Sequence, residues 1–587
     1  MKLTGAQIVI ECLIEQGTDT VFGYPGGAIL HIYDELYKNR HRIRHILTAH
    51  EQGAAHAADG YSRSTGKTGV VLATSGPGAA NLVTGIATAY MDSVPLVAIT
   101  CNVATHLLGK DSFQEIDITG ITTPVTKHSY IVRNIEQLAA AVREAFIIAS
   151  MGRPGPVLID IPKDVTAAVT EYEPVKKSDS TGGITDGITE LSVCIHKLGA
   201  LARAANPPPV SAEKVKCAAD LINRAERPVI CAGGGVLCAD AWKELRLLAE
   251  KASIPVCQTL MGKSAFPAQH ELNTGMVGMH GTKAANCAVN KSDLIIALGM
   301  RFSDRVISNP STFARDSTIL HIDIDAAELN KNVPAACALA GDVKALLKRI
   351  IPLVAEKEKS PWNAQIEEWK KHIPSMYAKK TKLHPKFVFE YIHKKIGETA
   401  IITTEVGQHQ MWASLFYPFS LPHSFLTSGG LGTMGYGTGA AIGAQTGKPD
   451  RPVVHIAGDG SFRMNCAELA TIEYYKLPII IIVVNNGTLG MVRQWQKLFY
   501  DKRYSQTTLD RGPDFVKLAE AYNIKAFRAH DEAEFASAFD KALELALYAE
   551  KREPVLIDSY IDIDENVLPM VPAGKAIDDT LLEIEND

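Results

Sequence analysis

The sequence predicts an α/β protein of three doubly wound parallel-sheet domains, the first and third related to each other. Three observations carry that prediction. The chain has 587 residues, enough for three or four domains of roughly 150 to 200 residues. Short β-branched runs alternate with longer helical stretches, the pattern of parallel strands covered on both faces. One strand-loop-helix-strand unit occurs twice.

In the first copy, Val70-Val71-Leu72-Ala73-Thr74 leads into Gly76-Pro77-Gly78, a helical stretch from Ala79 to Met91, then Pro95 and the apolar run Leu96-Val97-Ala98-Ile99. In the second, Val453-Val454-His455-Ile456-Ala457 leads into Gly458-Asp459-Gly460, a helical stretch from Asn465 to Tyr475, then Pro478 and the run Ile479 to Val484. Both copies end on Pro-Val-Leu-Ile-Asp, at Pro156 to Asp160 and Pro554 to Asp558. Between them Arg227-Pro228-Val229-Ile230 opens on Gly233-Gly234-Gly235, with later strands at Leu294 to Leu298 and Ile319 to Ile324, a Rossmann-like pattern. The expected domains are 1–175, 205–350 and 380–560, with a weakly periodic tail over 561–587. Linkers are expected where composition turns polar and Pro- or Gly-rich, at Lys176 to Lys214 with Pro207-Pro208-Pro209, and at Glu356 to His384.

Lys and Arg number 60 against 65 Asp and Glu, a net charge of −5, which argues against a nucleic-acid partner bound by a basic surface. The longest aliphatic stretch, Leu477 to Val484, carries a proline and falls far short of the roughly twenty residues that span a bilayer, so no membrane partner is expected. Met1 to Ala6 runs straight into an amphipathic helical pattern, leaving no room for a targeting segment. The ten cysteines never adopt Cys-x-x-Cys spacing and read as reduced, so a cytoplasmic location is expected.

A strand ending in Gly458-Asp459-Gly460 and, one helix later, a strand ending in Asn485-Asn486 put a carboxylate and a carboxamide at the carboxyl ends of two parallel strands. Ligands bind at that edge of open α/β sheets. A hard divalent cation takes such oxygens and completes its shell with water or phosphate, and a helix N-terminus after Gly460 favours phosphate. Each half alone is also a common turn former. The first copy's Gly76-Pro77-Gly78 has no acid, so the copies have diverged in task. Upstream, Ala49-His50-Glu51-Gln52-Gly53 sets a carboxylate among small residues. An arbitrary Glu there would be a solvated helix cap, and three glycines alone are weak evidence for a nucleotide.

Together these residues resemble the signature of the thiamine diphosphate enzymes that decarboxylate or condense 2-oxo acids. Nearly the whole chain is similar to the catalytic subunits of the acetohydroxyacid synthase (acetolactate synthase) family. The resemblance rests on Phe22-Gly23-Tyr24-Pro25-Gly26-Gly27-Ala28, Ser112-Phe113-Gln114-Glu115, Gly278-Met279-His280-Gly281, Gly407-Gln408-His409-Gln410-Met411-Trp412, Ser428-Gly429-Gly430-Leu431-Gly432-Thr433-Met434-Gly435 and Leu489-Gly490-Met491-Val492-Arg493-Gln494-Trp495, in the family's order. The tail from Glu565 to Pro572 resembles the family's C-terminus.

The resemblance implies that the first and third domains are thiamine diphosphate-binding folds. Asp459, Asn486 and the carbonyl of Thr488 would hold Mg2+ on the cofactor's diphosphate, with Gln408 and His409 donating to it and Val406, Gly407, Gly458, Gly460, Ser461, Gly490 and Met491 around it. Met434 would be the apolar prop that bends the cofactor, and Glu51 would hydrogen-bond its aminopyrimidine ring so that the cofactor deprotonates itself. Gly27, Gln114 and Lys163 would complete the site. Arg305 would hold the carboxylate of a second 2-oxo acid, and Trp495, with Phe113, Met491 and Met279, would favour an ethyl over a methyl side chain. A flavin-binding pattern, Gly233, Gly234, Gly235, Thr259, Leu260, Met261, Met279, His280, Gly299, Arg301, Arg305, Asp323, Ile324, Asp342 and Val343, implies FAD with no net redox role. Three departures stand out: Ser303 where the family has Asp, Cys101-Asn102 where it has Gly-Gln, and a segment from Lys176 to Val210 that does not align and yields no FAD-binding arginine.

The implied activity is an acetolactate synthase, which decarboxylates pyruvate and joins the two-carbon unit to pyruvate or 2-oxobutyrate in valine, leucine and isoleucine biosynthesis. A homodimer or homotetramer with active sites at the subunit interface and a regulatory small subunit are implied with it. A pyruvate oxidase, a 2-oxo acid decarboxylase, a flavin-free catabolic acetolactate synthase and an inactive homologue remain alternatives at this point.

Overall fold

The computed structural model describes residues 1–175, 209–374 and 382–583. β1 (Lys2–Thr4) opens the chain, followed by β2 (Thr20–Tyr24), β3 (Arg44–Leu47), β4 (Gly69–Ala73), β5 (Leu96–Asn102), β6 (His128–Ile131), β7 (Pro156–Pro162) and β8 (Val169–Glu171). β1 and β8 pair as a short antiparallel ribbon, and the other six form an all-parallel sheet in the order β3-β2-β4-β5-β7-β6.

The middle region contributes β9 (Pro228–Ala232), β10 (Val256–Gln258), β11 (Asn273–Met276), β12 (Leu294–Leu298), β13 (Thr318–Asp323) and β14 (Cys337–Ala340), all parallel, in the order β11-β10-β9-β12-β13-β14. This is the Rossmann order, with its switch point between β9 and β12. The last sheet holds β15 (Ile401–Thr404), β16 (Phe425–Leu426), β17 (Val453–Gly458), β18 (Ile480–Asn485), β19 (Lys525–Ala529) and β20 (Val555–Tyr560), in the order β16-β15-β17-β18-β20-β19. Renumbered from its own first strand, that order is the order of the first sheet, so the duplication seen in the sequence extends to the whole topology.

Strands β4, β5, β7, β9, β12 and β18 are buried along their full length, as strands covered on both faces must be, which is why they read as mostly apolar runs, broken only by a few polar residues such as Asn102, Asp160 and Asn485. The expected single helix after each glycine loop is broken in both copies. Pro77–Asn81 and Val83–Asp92 are separate helices, and Asp459–Asn465 is separated from Leu469–Tyr474 by the 3-10 turn Cys466–Glu468. The second break turns the Glu468 carboxylate inward, where it accepts backbone N–H groups from Ala49 and His50.

The stretch from Glu356 to His384 was expected to be a linker, yet it contains the helix Pro361–Lys370, started by a capping box at Ser360. Trp362 and Ile366 on its inner face join the core of the middle sheet, and the Trp362 indole donates to the Pro228 carbonyl at 3.0 Å. Spacing of i, i+4 in a short polar helix is a weak signal, and the packing decides it. The expected linker from Lys176 to Lys214 lies largely outside the described residues, but its last residues are not linker: Ser211 caps the helix Ala212–Arg224 by accepting the Lys214 N–H. The tail is packed rather than loose: Met570 bridges Leu581, and Ile577 is fully buried in the same middle core. Among the described residues no helix is long and apolar enough to cross a membrane.

Compactness groups the chain differently from the repeat. One unit comprises Met1–Asn206, Gly430–Asp450 and Met464–Ile479, and the other Pro207–Gly429, Arg451–Arg463 and Ile480–Asp587. Within the first unit the helix Glu51–Thr65, ended by a left-handed Gly66, lies against the helix Tyr436–Gly447. A Cβ on Gly60 would strike the Ala440 carbonyl, one on Gly443 the Ala57 carbonyl, and one on Gly439 would come within 2.7 Å of His56 Cβ. Backbones can approach this closely only where side chains are missing. Gly443→Ala is therefore expected to destabilise the protein by about 1–3 kcal/mol through overpacking, seen as a lower midpoint in urea or thermal unfolding.

Candidate active site

Parallel strands deliver their carboxyl ends to one edge of a sheet, and in the first unit that edge gathers the expected groups. Glu51, 9% exposed, is the first residue of its helix, and His50 caps that helix by accepting from the Gln52 N–H. Asn81 Nδ2 donates to Glu51 Oε2 at 2.9 Å, and a Cβ on Gly78 would stand 3.2 Å from Oε1. Thr74 Oγ1 accepts from the Ala28 N–H, in the loop that carries Gly27. Gly27 faces open space. Gln114 holds a left-handed backbone (φ 60°) against Gly76. Lys163, exposed, follows β7, and Phe113 is 87% exposed. Met434 is half-buried in the first unit, on a loop tied down by Gly430 N–H to Asp92 (2.6 Å) and Thr433 to Thr88 (2.7 Å).

At the edge of the last sheet, Asp459 follows β17 and Asn486 follows the adjacent β18, whose Val484 is in register with Gly458. Asp459 is 1% exposed, burial pushes its carboxyl up to about 6, and the backbone N–H of Asn486 donates to it. Its Oδ2 has no hydrogen-bond partner. Asn486 Oδ1 accepts from the Thr488 N–H (3.2 Å), and Asn486 Nδ2 donates to Gln408 Oε1 (3.1 Å). Gln408 Nε2 donates to Gln494 Oε1 and the Glu565 carbonyl, so both its hydrogens are used within the protein.

The His409 ring lies over Gly458, where a Cβ would come within 2.7 Å of Nδ1, and beside Gly407. Burial holds this imidazole down to about 3, hence neutral, and its Nε2 has no hydrogen-bond partner. Val406 is half-buried, and Ser461 Oγ donates to the Gly458 carbonyl (3.2 Å). On Gly490 a Cβ would collide with Gln408 Oε1.

Residues from distant parts of the second unit form another cluster. The Arg305 guanidinium lies 6.0 Å from the Trp495 ring centre, and its Nη1 is 3.9 Å from Met279 Sδ. The Met279 N–H donates to the Arg305 carbonyl (2.8 Å), which passes so close to Gly278 (φ 121°) that a Cβ there would crowd it at 2.5 Å. Arg305 remains largely exposed, and among the described residues its one ion-pair partner is Asp304 at 3.7 Å. The Trp495 Nε1 is buried without an acceptor. Met491, one turn before Trp495, packs on the core.

Apart from Arg305, in the short helix Asp304–Ile307, the positions of the flavin pattern lie at or just beyond the carboxyl edge of the middle sheet. Gly233, Gly234 and Gly235 follow β9, Thr259 to Met261 β10, Met279 and His280 β11, Gly299 and Arg301 β12, Asp323 and Ile324 β13, and Asp342 and Val343 β14. Several have structural tasks as well. Gly233 and Gly235 pack backbone to backbone on Gly299, Asp342 caps the helix Val343–Ile350, and Val343 is core. His280 faces the Pro569 carbonyl (3.3 Å) and burial lowers it to about 4.

Residues 3–121 match the N-terminal TPP binding domain of thiamine pyrophosphate enzymes, residues 215–350 their central domain and residues 405–559 their C-terminal TPP binding domain. The chain is 47% identical over 586 residues to the "Probable acetolactate synthase large subunit" of Methanocaldococcus jannaschii, covering 97% of this chain and 94% of that one. It is 45% identical over 591 residues to the acetolactate synthase large subunit of Corynebacterium glutamicum, covering 98% and 90%. It is 42% identical over 588 residues to that of Buchnera aphidicola, covering 99% and 98%.

Two equivalent pairs, one in each copy, were not evident from the sequence although half of each lies in the repeated Pro-Val-Leu-Ile-Asp. Asn102 Nδ2 donates to Asp160 Oδ2 at 2.7 Å, and Asn485 Nδ2 donates to Asp558 Oδ1 at 2.9 Å, the same contact in the two copies. Asn102 thus satisfies a buried carboxylate. Asn485 also accepts the Gly487 N–H (3.2 Å), shaping the turn before Thr488. Asn485→Ala and Asn102→Ala each leave a buried acid short of a donor. Each is expected to cost about 1–3 kcal/mol in chemical denaturation, and unchanged midpoints would refute the assignment.

Proposed function

The chain belongs to the thiamine pyrophosphate enzymes and, with its full-length relatives, to the acetolactate synthases, and from that premise we propose how its residues divide the reaction. Pyruvate is decarboxylated and its two-carbon unit joined to a second 2-oxo acid, pyruvate giving 2-acetolactate and 2-oxobutyrate giving 2-aceto-2-hydroxybutyrate, the entry to valine, leucine and isoleucine. Bound thiamine diphosphate supplies the carbon nucleophile and the electron sink.

Glu51 holds the pyrimidine ring and its proton. Its buried carboxylate, supported by Asn81 and lined by Gly78, suits a single hydrogen bond to a ring nitrogen. Asp459, Asn486 and the Thr488 carbonyl would hold Mg2+ against the diphosphate. The buried, unsatisfied Asp459 Oδ2 and His409 Nε2 fit a ligand that brings a cation and polar groups to that edge. Met434 supports the cofactor, while Gly27, Gln114 and Lys163 line the substrate side. FAD would lie across the middle sheet's edge, on Gly233 to Gly235 and towards Arg301 and Arg305, without exchanging electrons in the reaction. Two copies at least assemble, Glu51 of one serving the diphosphate edge of another, with a regulatory small subunit. A cytoplasmic setting keeps the free thiols of the described cysteines reduced.

The observation that carries this reading is Arg305 beside Trp495 and Met279. A nearly unpaired guanidinium next to an apolar wall suits an acceptor with a carboxylate and a short alkyl chain, and a simple decarboxylase needs no such grip. Purified protein with pyruvate, thiamine diphosphate, Mg2+ and FAD should form acetolactate, measured as acetoin after acid treatment. Acetaldehyde, or peroxide with oxygen uptake, as the main product would overturn the reading. Glu51→Gln should lower kcat about a hundred-fold or more while FAD stays bound. Trp495→Leu should reduce the preference for 2-oxobutyrate over pyruvate by about tenfold or more in competition assays, the scale of one methylene in an apolar pocket.

A further inference from the structure

We propose that Glu468 is the positioning residue of Glu51. The proposal rests on the reading of Glu51 as the partner of the pyrimidine ring. Glu51 is the first residue of its helix, so the backbone just before it sets where its carboxylate lies, and N–H groups there fall outside the helical ladder. The side chain of Glu468, 1% exposed, takes two of them: Oε2 accepts from Ala49 and Oε1 from His50, each at 3.1 Å. Thr471 Oγ1 donates to the same carboxylate at 2.7 Å. Carboxylate acceptors make strong, short-range tethers, and negative charge is favoured at a helix N-terminus.

The seat for this carboxylate is built into the helix itself. A Cβ on Gly53, two residues after Glu51, would collide with Glu468 Oε1. Seven residues beyond Glu468, the Tyr475 hydroxyl accepts the Leu47 N–H at 2.8 Å, so one segment secures both the end of β3 and the turn that follows it. Glu468 touches no described group of the site except this backbone, so its effect on the reaction passes through Glu51.

The test uses the full-length enzyme loaded with Mg2+ and thiamine diphosphate. It measures the near-ultraviolet circular-dichroism band of the cofactor's imino tautomer, together with kcat and KM for pyruvate, for Glu51→Gln, Glu468→Gln, Gly53→Ala and Gly85→Ala. Gly85→Ala presses on Ala55 of the same helix without touching Glu468 and serves as the packing control. Glu468→Gln and Gly53→Ala should weaken the band and lower kcat about tenfold or more, with KM within about twofold, because small misplacement of a catalytic group is costly. Gly85→Ala should lower the melting temperature and spare the band. Should Glu468→Gln not fold, Thr471→Val carries the same test with a smaller effect. If Glu51→Gln leaves the band intact, the reading of Glu51 is wrong. If Glu51→Gln abolishes it while Glu468→Gln and Gly53→Ala keep full band and rate, or if Gly85→Ala weakens it equally, the positioning role is overturned.

Discussion

The close backbone contact between the helices Glu51–Thr65 and Tyr436–Gly447 is the constraint on which the first unit depends. Gly60, Gly439 and Gly443 let carbonyl groups of each helix lie where side chains of the other would otherwise stand, and His56, Tyr61 and Tyr436 fill the flanks. The contact decides where Glu51 begins its helix and where the Gly430 to Gly435 loop, with Met434, is held. A buried network extends it: Arg63 pairs with Asp59 and Asp92, and the Tyr436 hydroxyl donates to Asp59. A buried charge left alone would be costly, so losing any one of these partners would destabilise the others.

The candidate site follows from a more general rule. Each of three parallel sheets brings its strand ends to one edge, and every residue singled out for chemistry lies on such an edge or on the loop or helix that leaves it. What distinguishes the edges is which polar groups they leave unsatisfied. In the first and last sheets, an asparagine at the end of one strand donates to an aspartate on its neighbour, Asn102 to Asp160 and Asn485 to Asp558, although Asp558 Oδ2 keeps no hydrogen-bond partner. Asp459 Oδ2, His409 Nε2 and the Trp495 indole remain without partners in the described structure. Other buried atoms are unpartnered too, among them His56 Nδ1, Ser264 Oγ and Ser420 Oγ, so it is position at a sheet edge, and not the missing bond alone, that sets Asp459 and His409 apart.

Much of this was legible in the chain. The duplicated glycine loops, the apolar strands and the closing Pro-Val-Leu-Ile-Asp announced two related sheets, because period and punctuation are local properties. Asp459 and Asn486 could be paired on paper, since adjacent parallel strands must align their ends. Arg305 with Trp495 could not be paired from spacing and came only from resemblance, because nearly two hundred residues separate them. Glu468 and Asn81 were invisible, being an ordinary glutamate in a helical run and an ordinary asparagine. The helix Pro361–Lys370 looked like linker until Trp362 found the Pro228 carbonyl.

The sequence by itself determined the strand-helix alternation, the duplication, the class of each edge and the loss of an acid from the first copy, all of which depend on neighbours along the chain. Only the tertiary structure decided that Gly430–Asp450 and Met464–Ile479 join the first unit, that the tail closes on the middle core, and that Glu468 meets the turn before Glu51. Those outcomes depend on which surfaces can approach without side chains between them and on which buried polar groups still need a partner, and neither is written in any local stretch of residues.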